Sequence, residues 1–397
     1  MAVIMGCMRG IPTVRLCLVR PQPAATTPGT TRPRVLFVPV SGPGGAGELM
    51  RCLIVARELR RASPDLDLHF LVARNAVFRE AVDFPVHDCD DSPTRSTAQV
   101  IALLHALRPD VVVFDNAGRT EQLRAARQLG ARLVFASRSP RLRWKAFRVS
   151  WLRLLDEHWI VFPKFVTGGL SVLERLKLRF TPRHVVRHLD TLFSPSMPDV
   201  RSAWLAAHGL RERGYTLFVP GGRADGHRAA VDPADLFVAA ADEFARTTGE
   251  TSVVLTGRSQ PAHAANSSGG RLVLLPQVRP EEVQHLLAGA TRVVSNGGST
   301  LIHALAHGQE IVSVPLAPDQ ARRIRRASRL GVVVSVAAEA GAIARAAAAL
   351  AAEPARGSEM RRQVAGLGLV NGVDEAVAAL QRLARATPIR NTSLQEA

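Results

Sequence analysis

Aromatic residues make up only 5% of this 397-residue chain, with a single tyrosine, and cysteine occurs four times. Cys7, Cys17, Cys52 and Cys89 form no CxxC pair and have no metal-ligand spacing. That argues against a bound metal and for a reduced, cytoplasmic protein. No apolar run reaches transmembrane length. Acidic residues are also scarce: 34 Asp+Glu against 51 Lys+Arg leave a net charge of +17. Such an excess favours polyanions, phosphorylated ligands or an anionic membrane, although charge scattered over helices is ordinarily a solvated surface. With no helix-turn-helix signal, zinc-finger spacing or basic–aromatic repeat, nucleic acid is not an expected partner. What is abundant is Ala, Val and Leu, in a 47% hydrophobic composition typical of a globular α/β protein. The length implies two domains.

Residues 1–32 carry scattered arginines and a Pro/Thr-rich run, and Pro12 and Arg15 interrupt their short apolar stretch. They read as a disordered leader, or as the product of a start codon assigned too early. Order begins with the buried-strand pattern Arg34–Val40, followed by a loop containing Gly44, Gly45 and Gly47 and a helix from Leu49 to Arg61. The loop has neither the Walker ending nor the dinucleotide-fingerprint spacing. Strand patterns recur at 68–72, 111–114 and 133–136, with helical stretches between them. This alternation predicts a parallel sheet covered on both faces, spanning 33–190. Asp115 falls at the carboxyl end of a strand, where open α/β sheets place ligand groups and where a carboxylate also caps a helix. Between 141 and 155, Trp144, Phe147, Trp151, Leu154 and Leu155 share one helical face among arginines. That face either packs on the core or lies on an anionic membrane, which would make the protein peripheral to the inner membrane.

Prolines and turn formers mark 191–211 as a linker, after which the architecture repeats over 212–372. A C-terminal helix and tail occupy 373–397. The second half centres on Ser295-Asn296-Gly297-Gly298-Ser299-Thr300, preceded by the strand pattern Thr291–Val294 and followed by helix formers. Strand, glycine turn and helix leave outward-pointing N–H groups at a helix N-terminus, which suits a phosphate. A second strand, 311–316, leads to Asp319-Gln320 and an arginine-rich helix.

Two α/β halves with glycine-rich turns facing a shared cleft resemble the GT-B glycosyltransferase fold. The likeness is greatest to the lipid-intermediate N-acetylglucosaminyltransferase of peptidoglycan synthesis and to the nucleotide-sugar hydrolase of the pseudaminic acid pathway. Asn296, Gly297, Gly298, Ser299 and Thr300 match the turn that holds the donor diphosphate in that family, and Asp319 and Gln320 match the pair that touches donor sugar hydroxyls. Gly221, Gly222 and Arg223 match the loop after the first strand of the nucleotide-binding domain, and Val278 falls where relatives bind the base through backbone groups. His303 stands where the family often has a ribose-binding glutamate, and Glu48 stands at the catalytic histidine position. The runs Leu49–Leu53 and Val113–Asn116 are especially like the hydrolase.

The resemblance implies two Rossmann-like parallel-sheet domains and transfer of a sugar from a nucleotide-diphosphate donor, UDP-linked, to a hydroxyl acceptor. The nucleotide sugar is then a co-substrate, with no tightly bound cofactor. Hydrolysis of the donor and inactive nucleotide-sugar binding are the alternatives. Glu48 is the expected base, with Asp115 close enough to couple with it and raise one carboxyl pKa. A glutamate in a first helical turn also simply complements the dipole.

Overall fold

A computed structural model of the chain describes residues 32–42, 47–221, 232–257, 270–276 and 278–386. The expected leader and the candidate residues Gly44, Gly45, Gly222 and Arg223 lie outside them.

The first sheet has seven strands, β1 (Arg34–Pro39), β2 (Asp67–Ala73), β3 (Val86–Cys89), β4 (Val111–Asp115), β5 (Arg132–Ser137), β6 (Glu157–Ile160) and β7 (Val185–His188). Their order is β3-β2-β1-β4-β5-β6-β7 and the pairing is parallel throughout. The second sheet contains β8 (Tyr215–Val219), β9 (Thr251–Gly257), β10 (Leu272–Pro276), β11 (Arg292–Asn296), β12 (Glu310–Val314) and β13 (Val334–Ser335). Its order is β10-β9-β8-β11-β12-β13, again all parallel. Central strands such as Val111–Asp115 and Glu310–Val314 are buried along their whole length, which is why they read as continuous apolar runs rather than alternating ones. Both sheets reverse strand order beside their first strand, at β1/β4 and at β8/β11. Ligands of open α/β sheets bind at the carboxyl ends of such strand pairs.

The chain crosses between the halves twice, and the two crossings lie side by side. Phe193 N–H donates to Asn371 Oδ1 (3.1 Å), Asn371 Nδ2 donates back to the Phe193 carbonyl (2.6 Å), and Gly372 N–H donates to Thr191 O (2.9 Å). A Cβ on Gly372 would come within 2.8 Å of the Leu189 backbone, so the crossing requires glycine there. The helix Val373–Arg385 then returns to the first half, where Val373, Ala376, Leu380 and Leu383 join the core beneath the helix Gly47–Ala62. The stretch 191–211, expected as a linker, holds the helix Pro198–Ala207, whose Leu205 enters the second core. Proline at the first helical position initiates a helix there rather than opening a connection.

The single amphipathic helix expected over 141–155 does not form. The helix Pro140–Ala146 stops, Arg148 is extended (φ −69°, ψ 138°), and the short helix Val149–Leu152 follows. The break sends Phe147 and Trp151 into the core, where Trp151 meets Phe135 edge-on at 5.1 Å and donates to Thr120 Oγ1 (3.0 Å). Trp144 alone of those three aromatics stays outside. Among the described residues, no helix is long and apolar enough to cross a membrane.

Candidate active site

The site grows from the β8/β11 switch point. Asn296, the last residue of β11, donates from Nδ2 to the Pro220 carbonyl (2.9 Å) and accepts from Gly298 N–H through Oδ1 (3.0 Å). One side chain thereby staples the end of β8 to the turn. Gly221 sits at φ +82°, and a Cβ there would lie 2.3 Å from Asn296 Nδ2. Gly298 is extended rather than left-handed, and what demands glycine is proximity: a Cβ would come 2.8 Å from Asn296 Oδ1. On Gly297 a Cβ would meet Gln320 Cβ at 2.8 Å and Ile324 at 2.9 Å, so the turn is pressed onto the helix Pro318–Arg329. Ser299 and Thr300 open the helix Ser299–Ala306, with Ser299 exposed. The turn therefore presents helix N-terminal N–H groups outward, an arrangement that attracts anions.

Arg323 sits behind this turn. Its Nη1 donates to the Gly297 carbonyl, its guanidinium lies 4.9 Å from the Phe162 ring centroid, and Nη2 reaches Asp319 at 3.4 Å. Its buried Nε has no partner among the described residues. Burial lowers its pKa, partly offset by Asp319, and the like charge of Arg138 lowers it further.

Gln320 is used internally, since its Oε1 accepts from Leu316 N–H (3.0 Å), while Asp319 is exposed in the first turn of its helix. Val278 packs against the second core. His303 Nδ1 faces Gln284 Nε2 (3.2 Å), whose Oε1 faces His307 Nε2 (3.1 Å), and Phe193 packs against both imidazoles. Burial, then the neighbouring His307 and Arg51, pushes the His303 pKa down to about 3, so it is a neutral imidazole at pH 7.

On the first half's side, Glu48 begins the helix Gly47–Ala62. Its Oε1 accepts from Asn116 Nδ2 (2.6 Å), and Asn116 Oδ1 accepts from Arg138 N–H (3.1 Å). Asn116 adopts φ +53°, a left-handed conformation that asparagine tolerates and that turns its amide back over Glu48. Arg138 Nε lies 3.9 Å from Glu48, and a Cβ on Gly47 would be 3.8 Å from Arg138 Nη1. Burial pushes the Glu48 carboxyl up, but the Arg51 and Arg138 charges and the Asn116 hydrogen bond outweigh it, so the net shift is downward. Glu48 is therefore ionised at neutral pH.

Asp115 is buried beside it, yet the two carboxylates do not share a proton. Arg51 intervenes and grips Asp115 bidentately, Nε to Oδ2 at 2.7 Å and Nη2 to Oδ1 at 2.6 Å. Burial raises the Asp115 carboxyl and the guanidinium opposes it. With both oxygens on the fork, the pair is an ion pair. The raised carboxyl of the pair is Asp115, lifted first by burial and further by Glu48, whereas arginine charge holds Glu48 itself down.

Arg51, Asn116, Arg138 and Arg323 are the site residues that sequence reasoning missed. An arginine in an arginine-rich helix carries no local sign that it points inward. The available signal for Arg51 was its place one helical turn beyond Glu48.

No protein-family model and no curated protein sequence matches the chain. Solved structures do match in fold. The spinosyn forosaminyltransferase SpnP superposes with a TM-score of 0.61 at 16% identity, covering 89% of this chain and 100% of the other. MurG of Acinetobacter baumannii gives 0.57 at 13%, covering 88% and 99%. Arabidopsis thaliana UGT89C1, complexed with UDP-L-rhamnose, gives 0.59 at 13%, covering 89% and 100%. Two parallel-sheet domains in this order, joined by a double crossing, are thus the GT-B fold of these glycosyltransferases.

Proposed function

We propose that the protein transfers a glycosyl group from a nucleoside diphosphate sugar, with UDP as the nucleotide, to a hydroxyl acceptor. The observation that carries this reading is the stapled turn Asn296–Gly298. It fixes the N-terminus of the helix Ser299–Ala306, with Arg323 donating to the Gly297 carbonyl of the same turn. A fold shared with an enzyme complexed with UDP-L-rhamnose supports the choice of donor.

In this scheme the N–H groups of Ser299 and Thr300 hold the diphosphate, and Arg323 adds charge as the nucleotide leaves. Gly221, Gly222 and Arg223 are assigned as donor contacts from their match to the family loop, and Val278 borders the base. Asp319, exposed beside Arg323, meets sugar hydroxyls, whereas Gln320 shapes the turn. His303, a neutral imidazole, offers a hydrogen bond to the ribose. Glu48 takes the proton from the attacking hydroxyl. Its depressed pKa keeps the carboxylate available, and Asn116 fixes one of its oxygens. Asp115 positions Arg51 rather than acting as a base. Gly44, Gly45 and Gly47 border the acceptor.

The test is a thermal-shift screen against UDP-sugars and other nucleotide sugars. A true donor at 100 times its dissociation constant should stabilise the fold by about 2.7 kcal/mol. The hit is then incubated with and without hydroxyl acceptors. Product formed only with an acceptor supports transfer, free sugar released rapidly without one indicates hydrolysis, and binding without turnover indicates a nucleotide-sugar-binding protein. No stabilisation by any nucleotide sugar would sink the donor assignment.

A further inference from the structure

The helix Val172–Arg179 is amphipathic in the wrong sense for a soluble surface. Two of its polar side chains, Glu174 and Lys177, face the protein, while Arg175 and Arg179 are exposed. Glu174 is held by Arg143 through Nε (2.8 Å) and Nη2 (2.5 Å), and the same guanidinium donates to the carbonyls of Thr167, Gly168 and Gly169. Lys177 Nζ donates to the Phe147 carbonyl (3.0 Å), and Ser171 and Glu174 close a capping box. These contacts pin the helix firmly without burying any of its residues. Apart from the half-buried Leu178, its apolar side chains face out: Val172 is 75% exposed, Leu173 60%, Leu176 50% and the following Phe180 76%. Spacings of three and four put them in one stripe. Trp144, next to Arg143, is 60% exposed, with Arg148 4.4 Å from its ring centroid.

The charge around this stripe has one sign. Residues 138–185 contain eleven Lys and Arg against three Asp and Glu. All three acids are spoken for: Asp156 by Arg127 and Arg132, Glu157 by Arg187 and Arg382, Glu174 by Arg143. Arg141, Arg148, Arg175, Arg179 and Arg183 are exposed. The helix Pro140–Ala146 begins three residues after β5, at the sheet end that carries Glu48 and Arg138, so the patch adjoins the cleft.

We propose that this face docks the protein on an anionic lipid bilayer, with the 172–180 stripe and Trp144 among the headgroups and the arginines on lipid phosphates. An apolar stripe on a rigid helix, ringed by unpaired arginines, suits a surface that is greasy below and negative above. A second copy of the chain fits poorly, because a self-complementary contact would set these arginines against one another. The inference stands apart from the glycosyl-transfer reading and does not depend on it. It also moves the membrane contact from the 141–155 face, most of which is core, to a neighbouring helix.

The test is flotation of the full chain with phosphatidylglycerol or phosphatidylcholine vesicles. Binding should be confined to phosphatidylglycerol and should weaken as salt rises from about 0.1 M, where screening is incomplete. The variant Leu173→Ser/Leu176→Ser/Phe180→Ser should lose roughly tenfold or more in partitioning. Arg175→Gln/Arg179→Gln should lose a similar factor. Because these side chains are exposed, both variants should keep the parent melting temperature. Trp144 emission should shift to the blue on binding, and Trp144→Phe should remove the shift. Absence of flotation, or flotation undiminished by the three-serine variant, overturns the proposal. So does a dimer, seen by light scattering, that the same variant dissociates while vesicles go unbound.

Discussion

The two switch points share a topology and differ in what they present. At β8/β11 the turn shows backbone N–H groups, and Arg323 behind it is held by a carbonyl, an aromatic ring and Asp319. At β1/β4 the corresponding edge shows a carboxylate, Glu48, embedded among an amide and two arginines. A glycine turn is sufficient to hold an anion, because the donors belong to the backbone. Holding a carboxylate ready to accept a proton takes side chains from several strands. Glu48, Arg51, Asp115, Asn116 and Arg138 come from one helix and two strand ends. The first half is accordingly the more fragile of the two, and substitutions should separate them.

The largest effect belongs to Glu48→Gln, which keeps shape and hydrogen bonding but removes the proton acceptor. Turnover should fall on the order of 10²–10⁴-fold while donor affinity, set at the other switch point, is unchanged. Near-normal turnover would move the base elsewhere. Arg51→Met strands Asp115 as a buried, unpaired carboxylate and should cost about 3–5 kcal/mol in denaturant unfolding. Adding Asp115→Asn should recover a large part of that loss. If the double variant is no more stable than the single one, the ion pair is not what holds this edge. Gly298→Val sharpens the comparison from the other side. The clash with Asn296 Oδ1 and the obstructed approach should weaken nucleotide-sugar binding, with a strain of about 1–3 kcal/mol, in a chain that still folds. Undiminished affinity, measured by calorimetry, would remove the phosphate assignment.

The smallest effect concerns pH. Burial and neighbouring charge hold His303 down to about 3 and His307 down to about 4, both below the ordinary imidazole value. Between that ordinary value, near 6.5, and about 4, the unfolded chain binds protons that the folded chain refuses. Stability is therefore complete above about pH 6.5 and declines as pH falls, by on the order of 1–2 kcal/mol per imidazole at pH 5. His303→Gln should flatten the slope of unfolding free energy between pH 6.5 and 4, and an unchanged slope would exclude His303 as its source.

The sequence alone determined the parallel two-sheet architecture and the turn Ser295–Thr300. Both are local: apolar runs fix strands, and a glycine pair between a strand and helix formers fixes the turn within six residues. It also marked Glu48 and Asp115 as residues at strand and helix ends. Tertiary structure alone decided what surrounds them. Arg51 and Asp115 are 64 positions apart, and the β1–β4 pairing brings them together. Local helical periodicity put Phe147 and Trp151 on a membrane-facing surface as readily as in a core, until the extended backbone at Arg148 turned both inward. In the helix 172–179 it is the buried guanidinium of Arg143, 31 positions away along the chain, that turns Glu174 inward. The return of the helix Val373–Arg385 to the first half depends on the paired crossing at Asn371 and Gly372, a contact between segments some 180 residues apart along the chain. Local pattern dictates backbone conformation, but which side of a helix is inside depends on partners that only the folded chain brings near.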